Sequence, residues 1–176
     1  MLYLRNRNII PMNTNAQNTN KSAFPDLNGK LILAVDDVKF NTVLVEKMLT
    51  ACNAKVVTLS NGQSTLEWLK VNKPDLVILD LLMPDISGYD ILSAIKSNPV
   101  TSGVPVLIAS AFTARENLIQ ARDMGAVGYV KKPIVMSELF EQVRSVFFSD
   151  GASVKEGMVI PQLPEKVIPV APSYVG

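Results

Sequence analysis

The stretch Leu76–Asp90, LVILDLLMPDISGYD, runs four large aliphatic residues into an aspartate, Asp80, and follows it with a proline, a glycine and two further acids. An unbroken Val/Ile/Leu run without polar alternation reads as a strand covered on both faces, the mark of a parallel sheet. An unpaired charge buried there costs several kcal/mol to desolvate. LVIL is therefore expected to anchor the strand in the core and deliver Asp80 to a polar edge, with MPDISG turning the chain beyond it. Gly88 is expected to permit a tight backbone where the next helix starts.

Similar apolar runs recur along the chain. LILAV (31–35), KVVTL (55–59), PVLIA (105–109) and GYV (128–130) join LVIL (76–79) to make five predicted strands. Helical patterns fill the gaps. Phe40, Val43, Leu44, Met48 and Ala51 form one stripe at 3.6-residue spacing, and Leu139, Phe140, Val143, Val146 and Phe147 form another. Thr113 and Glu116 read as a capping box opening the fourth helix, Asn61-Gly62 as a turn, and Trp68 as a packing residue of the second helix. The alternation predicts a (βα)5 doubly wound α/β sandwich around a parallel five-stranded sheet.

The chain has 176 residues, 48% hydrophobic and 19% charged, which suits one buried core. Lys+Arg 17 against Asp+Glu 16 leaves a net charge of +1, so bulk charge points neither to nucleic acid nor to a membrane surface. No stretch reaches the roughly 18 apolar residues of a membrane span, and MLYLRNRNII lacks the apolar core of a secretory signal. The single cysteine, Cys52, is expected to be a buried structural thiol and fits a reducing cytoplasm. With no histidine in the chain, histidine triads and histidine metal ligands are excluded, and phosphohistidine chemistry requires a second molecule. Residues 1–28, Asn-rich, read as a flexible arm, and residues 150–176, with Pro161, Pro164, Pro169 and Pro172, as an extended tail. Residues 29–149 form the expected domain. The tail is too short for an output module, although either tail could serve a homodimer.

In a parallel sheet the carboxyl ends of the strands share one edge, where ligands bind. Asp36 and Asp37 follow the first strand, Asp80 the third, Ser110 the fourth and Lys132 the fifth. Three carboxylates together repel, each pair by about 4 kcal/mol at 4 Å and an effective dielectric of 20, so a cation is almost required. Carboxylates with a backbone carbonyl and water suit a hard ion, Mg²⁺ where a phosphoryl group completes the shell. Lys132 adds a point charge and Ser110 a hydroxyl donor, a phosphoryl site rather than a hydrolytic acid/base pair. Asp80, ionised at neutral pH with an ordinary pKa near 3.9, needs no general base to form an aspartyl phosphate.

These residues carry a resemblance. The acidic pair in AVDD, Asp80 in LDLLMPDISG, Ser110 in IASA, Tyr129 in GYV and Lys132 in KKP stand in one register, Ser110 thirty and Lys132 fifty-two positions after Asp80. Over residues 29–149 the chain resembles the receiver domain of two-component response regulators. The resemblance implies a flavodoxin-like fold with sheet order 2-1-3-4-5 and phosphorylation of Asp80 by a histidine kinase or histidine phosphotransfer protein. It implies Mg²⁺ held by Asp37, Asp80 and the Leu82 carbonyl, with Asp36 acting through water. Lys132, directly before Pro133, is chosen over its neighbour Lys131, and the Lys132–Pro133 bond is expected to be cis. Activation implies that the Ser110 hydroxyl moves toward the phosphoryl group while Tyr129 turns inward, reshaping the surface of the fourth helix, fifth strand and fifth helix for an unidentified protein target. The chain would then promote its own phosphorylation and dephosphorylation rather than turn over an external substrate.

Some positions depart from the commonest pattern. Val38 stands where asparagine is frequent, and Ser110 where threonine is. Leu82 and Phe112, each two residues beyond a site residue, are expected to flank the pocket mouth and hinder attacking water. Two other classes compete. A haloacid-dehalogenase-like phosphatase also uses an aspartate nucleophile and Mg²⁺, but with D-x-D after the first strand, unlike AVDD here. A phosphorylation-independent interaction module would keep the acids and make contacts through the tails. A dinucleotide site is disfavoured because no G-x-G-x-x-G follows the first strand.

Overall fold

The computed structural model describes residues 25–111 and 114–148. Five strands alternate with five helices: β1 Leu31–Val35, α1 Lys39–Thr50, β2 Lys55–Leu59, α2 Gly62–Leu69, β3 Leu76–Leu79, α3 Gly88–Ser97, β4 Val106–Ser110, α4 Arg115–Asp123, β5 Gly128–Lys131 and α5 Met136–Phe148. The strands are all parallel, in the order β2-β1-β3-β4-β5. The expected (βα)5 doubly wound fold is therefore the observed one. Strand four lies one residue later than read from the sequence, and strand five extends to Lys131.

Alternate strand residues feed two apolar layers, as the period of two demands. Ile32, Ala34, Leu76 and Ile78 face α1 and α5, where Val45, Leu49, Leu139 and Val143 meet them. Leu33, Val35, Val77 and Leu79 face the other way, toward Ile91 and Leu92 of α3 and Leu118 of α4. All four residues of β3 are buried. Each contributes about 1.5–3 kcal/mol on leaving water, more in sum than the several kcal/mol that an imperfectly paired carboxylate costs. The core can thus hold Asp80 at the strand's end.

Three local expectations are corrected. The apolar stripe read for α1 is only partly its core face: Met48 is buried and Leu44, half-buried, packs against the core, but Phe40 and Ala51 are exposed and the other buried residues are Thr42, Val45 and Leu49. The helix is apolar on two sides, and the face turned to the sheet is the one carrying Val45, Met48 and Leu49. Asn61-Gly62 is not a free turn. Asn61 is the N-cap of α2, its side chain accepting from the Ser64 N–H at 2.8 Å, and Gly62 is already helical. For α4 the N-cap is Ala114, without a side-chain cap; Thr113 of the expected box lies outside the described residues, as does Phe112. The α5 stripe is packed as read, with Leu139, Phe140 and Val143 buried and Val146 and Phe147 against the same layer. Cys52 is buried, and Trp68 packs against the core.

Ahead of β1, Pro25 is buried and Leu27, 1% exposed, belongs to the α1/α5 layer, so the packed chain starts before residue 29. The rest of the N-terminal arm and the tail from 150 lie outside the described residues. Among the described residues no helix is long and apolar enough to cross a membrane.

Candidate functional site

Sheet register assembles the site. Val35 pairs with Leu79, and the Asp80 N–H donates to the Val35 carbonyl at 2.9 Å, so the residues following β1 and β3 emerge side by side. Across the sheet Ser110 pairs with Lys131, and the Lys132 N–H donates to the Ser110 carbonyl at 3.0 Å. Order 2-1-3-4-5 makes β1 and β3 neighbours although a βα unit separates them in sequence. That is the switch point at which ligands bind doubly wound sheets.

One carboxylate oxygen from each of Asp36, Asp37 and Asp80 lies within 4.8 Å of the other two, with Asp36 and Asp80 buried and Asp37 exposed. Lys132 Nζ sits between two of them, 2.6 Å from Asp36 Oδ2 and 2.5 Å from Asp80 Oδ2. Asp36 is oriented from its other side, where the Val38 N–H and the Asn41 side-chain amide each donate to Oδ1 at 3.0 Å. Asp80 Oδ1 accepts from the Leu82 N–H at 3.1 Å. Burial pushes the Asp80 carboxyl above its ordinary value; the hydrogen bonds from Lys132 and Leu82 and the lysine's charge pull it down, and the Asp36 charge pushes it up again. Lys131, by contrast, is exposed, and its backbone N–H donates to Glu138 Oε1 at 3.2 Å. The Lys132–Pro133 bond is cis.

Ser110 is fully buried. Its carbonyl accepts a second bond, from the Tyr129 phenol at 2.6 Å, and the ring, 6% exposed, is turned inward. Two residues of the β5 segment thus hang on one carbonyl of β4. Burial pushes the Tyr129 phenol up to about 12, and the charges of Glu138 and Asp80 add to the effect. Its folded pKa lies above the 10.0 of the free side chain, so this contribution to stability is complete below pH 10 and is lost as pH rises toward about 12. The tyrosinate absorbance of the wild type minus that of Tyr129→Phe is expected to contain one phenol ionising near pH 12; ionisation near 10 would show the ring to be solvated.

Leu82, 49% exposed, stands at the mouth beside the acids. Two contributors were not legible in the sequence. Asn41 holds Asp36 from the first turn of α1, and its only signal is its position five residues on. Asp85, to which no role attached, accepts from the Gln63 N–H at the start of α2 at 3.0 Å. The donor set fits a hard divalent cation: three clustered carboxylates, two of them oriented by protein hydrogen bonds, with the third open to solvent.

A doubly wound parallel sheet with an acidic cluster and a lysine at its switch point defines a small class of phosphoryl-handling domains. A family model for the response regulator receiver domain matches residues 32–144. The chain belongs to that family. It is 36% identical over 115 residues to the response regulator PleD of Caulobacter vibrioides, covering 65% of this chain and 25% of PleD. The chain therefore spans about a quarter of the length of that relative. Among solved structures, a response regulator from Chloroflexus aurantiacus aligns with a TM-score of 0.64 at 28% identity, covering 67% of this chain and 97% of the other. The phosphorylated cyanobacterial phytochrome response regulator RcpA aligns at 0.61 and 26% identity, covering 69% and 95%.

Proposed function

We propose that Asp80 accepts a phosphoryl group from the phosphohistidine of a histidine kinase or phosphotransfer protein, and that the phosphorylated domain controls a protein partner. The juxtaposition of Asp80 with Lys132 at 2.5 Å and with two further carboxylates within 4.8 Å carries this reading. An Asp80 carboxylate oxygen attacks phosphorus; the new P–O bond forms as the P–N bond breaks, and the leaving imidazole keeps the electron pair. The Lys132 ammonium stands where it can stabilise charge on the phosphoryl oxygens, and Ser110 can supply a hydroxyl donor. Asp36, Asp37, Asp80 and the Leu82 carbonyl would hold Mg²⁺, which when bound supplies neutralisation of that developing charge. The phosphorylated state of RcpA supports the same chemistry for this relative's fold. Such a domain promotes its own phosphorylation and dephosphorylation rather than turnover of an external substrate.

The shared Ser110 carbonyl gives the proposed output route. A shift of Ser110 toward a phosphoryl group moves the acceptor of both Tyr129 and Lys132, and so the join between β4 and β5. The surface read as responding is that of α4, β5 and α5.

Incubation with acetyl phosphate and Mg²⁺ tests the reading: one phosphoryl group per chain on a phosphate-affinity gel, absent when the metal is chelated, is the expected result. No shift in the wild type beside a responding control overturns it. Turnover of a generic phosphate ester without labelling would favour the phosphatase reading.

The donor is expected to dock on an apolar rim. Phe40, 72% exposed, with Val38, Leu82, Val135 and Met136, lies on the connections and helix starts that surround the acids. An aromatic side chain so exposed is worth burying only against a partner. Phe40→Asp is expected to slow transfer from a phosphohistidine protein about tenfold, the cost of one lost apolar anchor, and to leave the acetyl phosphate rate unchanged. An equal effect on both donors would place Phe40 in the chemistry instead.

A further inference from the structure

The connection from β3 to α3, residues 80–87, is fastened at both ends and in its middle. At its start the Leu82 N–H donates to Asp80 Oδ1, and at its end the Gly88 N–H donates to the Leu81 carbonyl at 3.0 Å. Between these points the chain leans on α2. The Gln63 N–H donates to Asp85 Oδ2 at 3.0 Å, and the Ile86 Cβ stands 2.5 Å from where a Cβ on Gly62 would lie, so only glycine admits the approach. The N–H groups of Gly62, Gln63 and Ile86 hold the Asp85 carboxyl below its ordinary range. Helix α2 already has its own cap in Asn61. Asp85 therefore takes a first-turn N–H left over by that cap, and joins two segments 22 residues apart.

We infer that Asp85 is a positioning residue: by clamping the β3–α3 connection to the start of α2 it fixes the place of the Leu82 carbonyl, and so sets the affinity of the acidic cluster for a divalent cation. The inference rests on the proposed reading in which that carbonyl is a ligand. A ligand atom on a fastened loop carries no ordering cost when the cation binds, whereas the same atom on a loosened loop does.

Calorimetric titration of the full chain with Mg²⁺ tests this. Asp85→Ala is expected to bind about tenfold more weakly than wild type, the usual scale for losing an outer partner of a ligand, while Asp85→Asn, which keeps an acceptor oxygen, recovers part of the loss. Asn61→Ala removes the helix's own cap without touching the connection and is expected to leave Mg²⁺ affinity unchanged. Wild-type affinity in Asp85→Ala overturns the inference. So does an equal loss in Asn61→Ala, which would trace the effect to fraying of α2. Hydrogen exchange at the Leu82 and Gly88 amides, measured without metal, separates the clamp from the metal reading. Faster exchange in Asp85→Ala supports the clamp, and unchanged exchange overturns it, even if the wild type binds no Mg²⁺ and the metal reading itself fails.

Discussion

Asp80→Asn is expected to take up no phosphoryl group from any donor and, with Mg²⁺ removed, to melt at a higher temperature than the wild type. The first effect follows from the role proposed for Asp80: an amide oxygen carries no negative charge to offer phosphorus. The second follows from the site's electrostatics. Burial and the Asp36 charge raise the Asp80 pKa above its ordinary 3.8, and Lys132 and the Leu82 N–H do not fully cancel them. A carboxyl with a raised folded pKa contributes stability that is complete below its unfolded pKa and lost as pH climbs through the folded one. At neutral pH the ionised group is thus a net burden. The asparagine oxygen can still accept from the Leu82 N–H, and Lys132 keeps Asp36 at 2.6 Å.

The gain is expected to be on the order of 1 kcal/mol, an ordinary size for a single substitution. Mg²⁺, bound as proposed, is expected to reverse the order. A ligand at a hundredfold excess over its Kd adds roughly 2.7 kcal/mol to the state that binds it, and the variant, with one carboxylate fewer, gains less. Thermal melts with and without Mg²⁺ check this. A variant less stable than wild type in the metal-free buffer would mean that the Asp80–Lys132 attraction outweighs burial.

Much of this was legible because the relevant signals are local. LVIL followed by Asp80 identifies a buried strand delivering a charge to an edge, and five such edges in one parallel sheet must share a side. What was not legible depends on which of two equivalent faces or partners the fold selects. Helix α1 is apolar on two sides, and periodicity measures the spacing of a stripe without saying whether it meets the sheet. Choosing Phe40, Val43 and Ala51 beside Met48, instead of Val45 and Leu49, was an error of direction, not of period. Asp85 and Asn41 escaped for a different reason. Each acts through a hydrogen bond to a residue placed by tertiary structure, Gln63 in one case and Asp36 in the other, and neither residue type is unusual where it stands. Gly88 lay between these cases: its need for glycine was read from the sequence, but as freedom of the backbone, whereas the structure shows a lack of space.

That lack of space carries the largest expected effect on the fold. A Cβ on Gly88 would stand 2.1 Å from the Asp80 carbonyl oxygen and 2.6 Å from the Leu81 Cα. Both are backbone atoms, which cannot swing aside as a side chain can. Either α3 retreats, breaking the contact of Ile91, Leu92 and Ile95 with the core, or the end of β3 bends and carries Asp80 with it. Gly88→Ala is therefore expected to cost about 3 kcal/mol, the upper end for overpacking, and to lower the melting temperature by roughly 10 °C in a domain of this size. Phosphoryl uptake should fall as well, because the displaced backbone is that of the proposed nucleophile. Gly103 supplies the comparison: nothing lies within 4 Å of where its Cβ would stand, and its φ is not positive. Gly103→Ala is expected to be neutral or to stabilise by about 0.4–1 kcal/mol through the unfolded chain, with phosphoryl uptake unchanged. Denaturant unfolding of the two variants separates the explanations. Equal small effects would mean that α3 can shift without cost, and that the junction with α3 does not hold Asp80 in place.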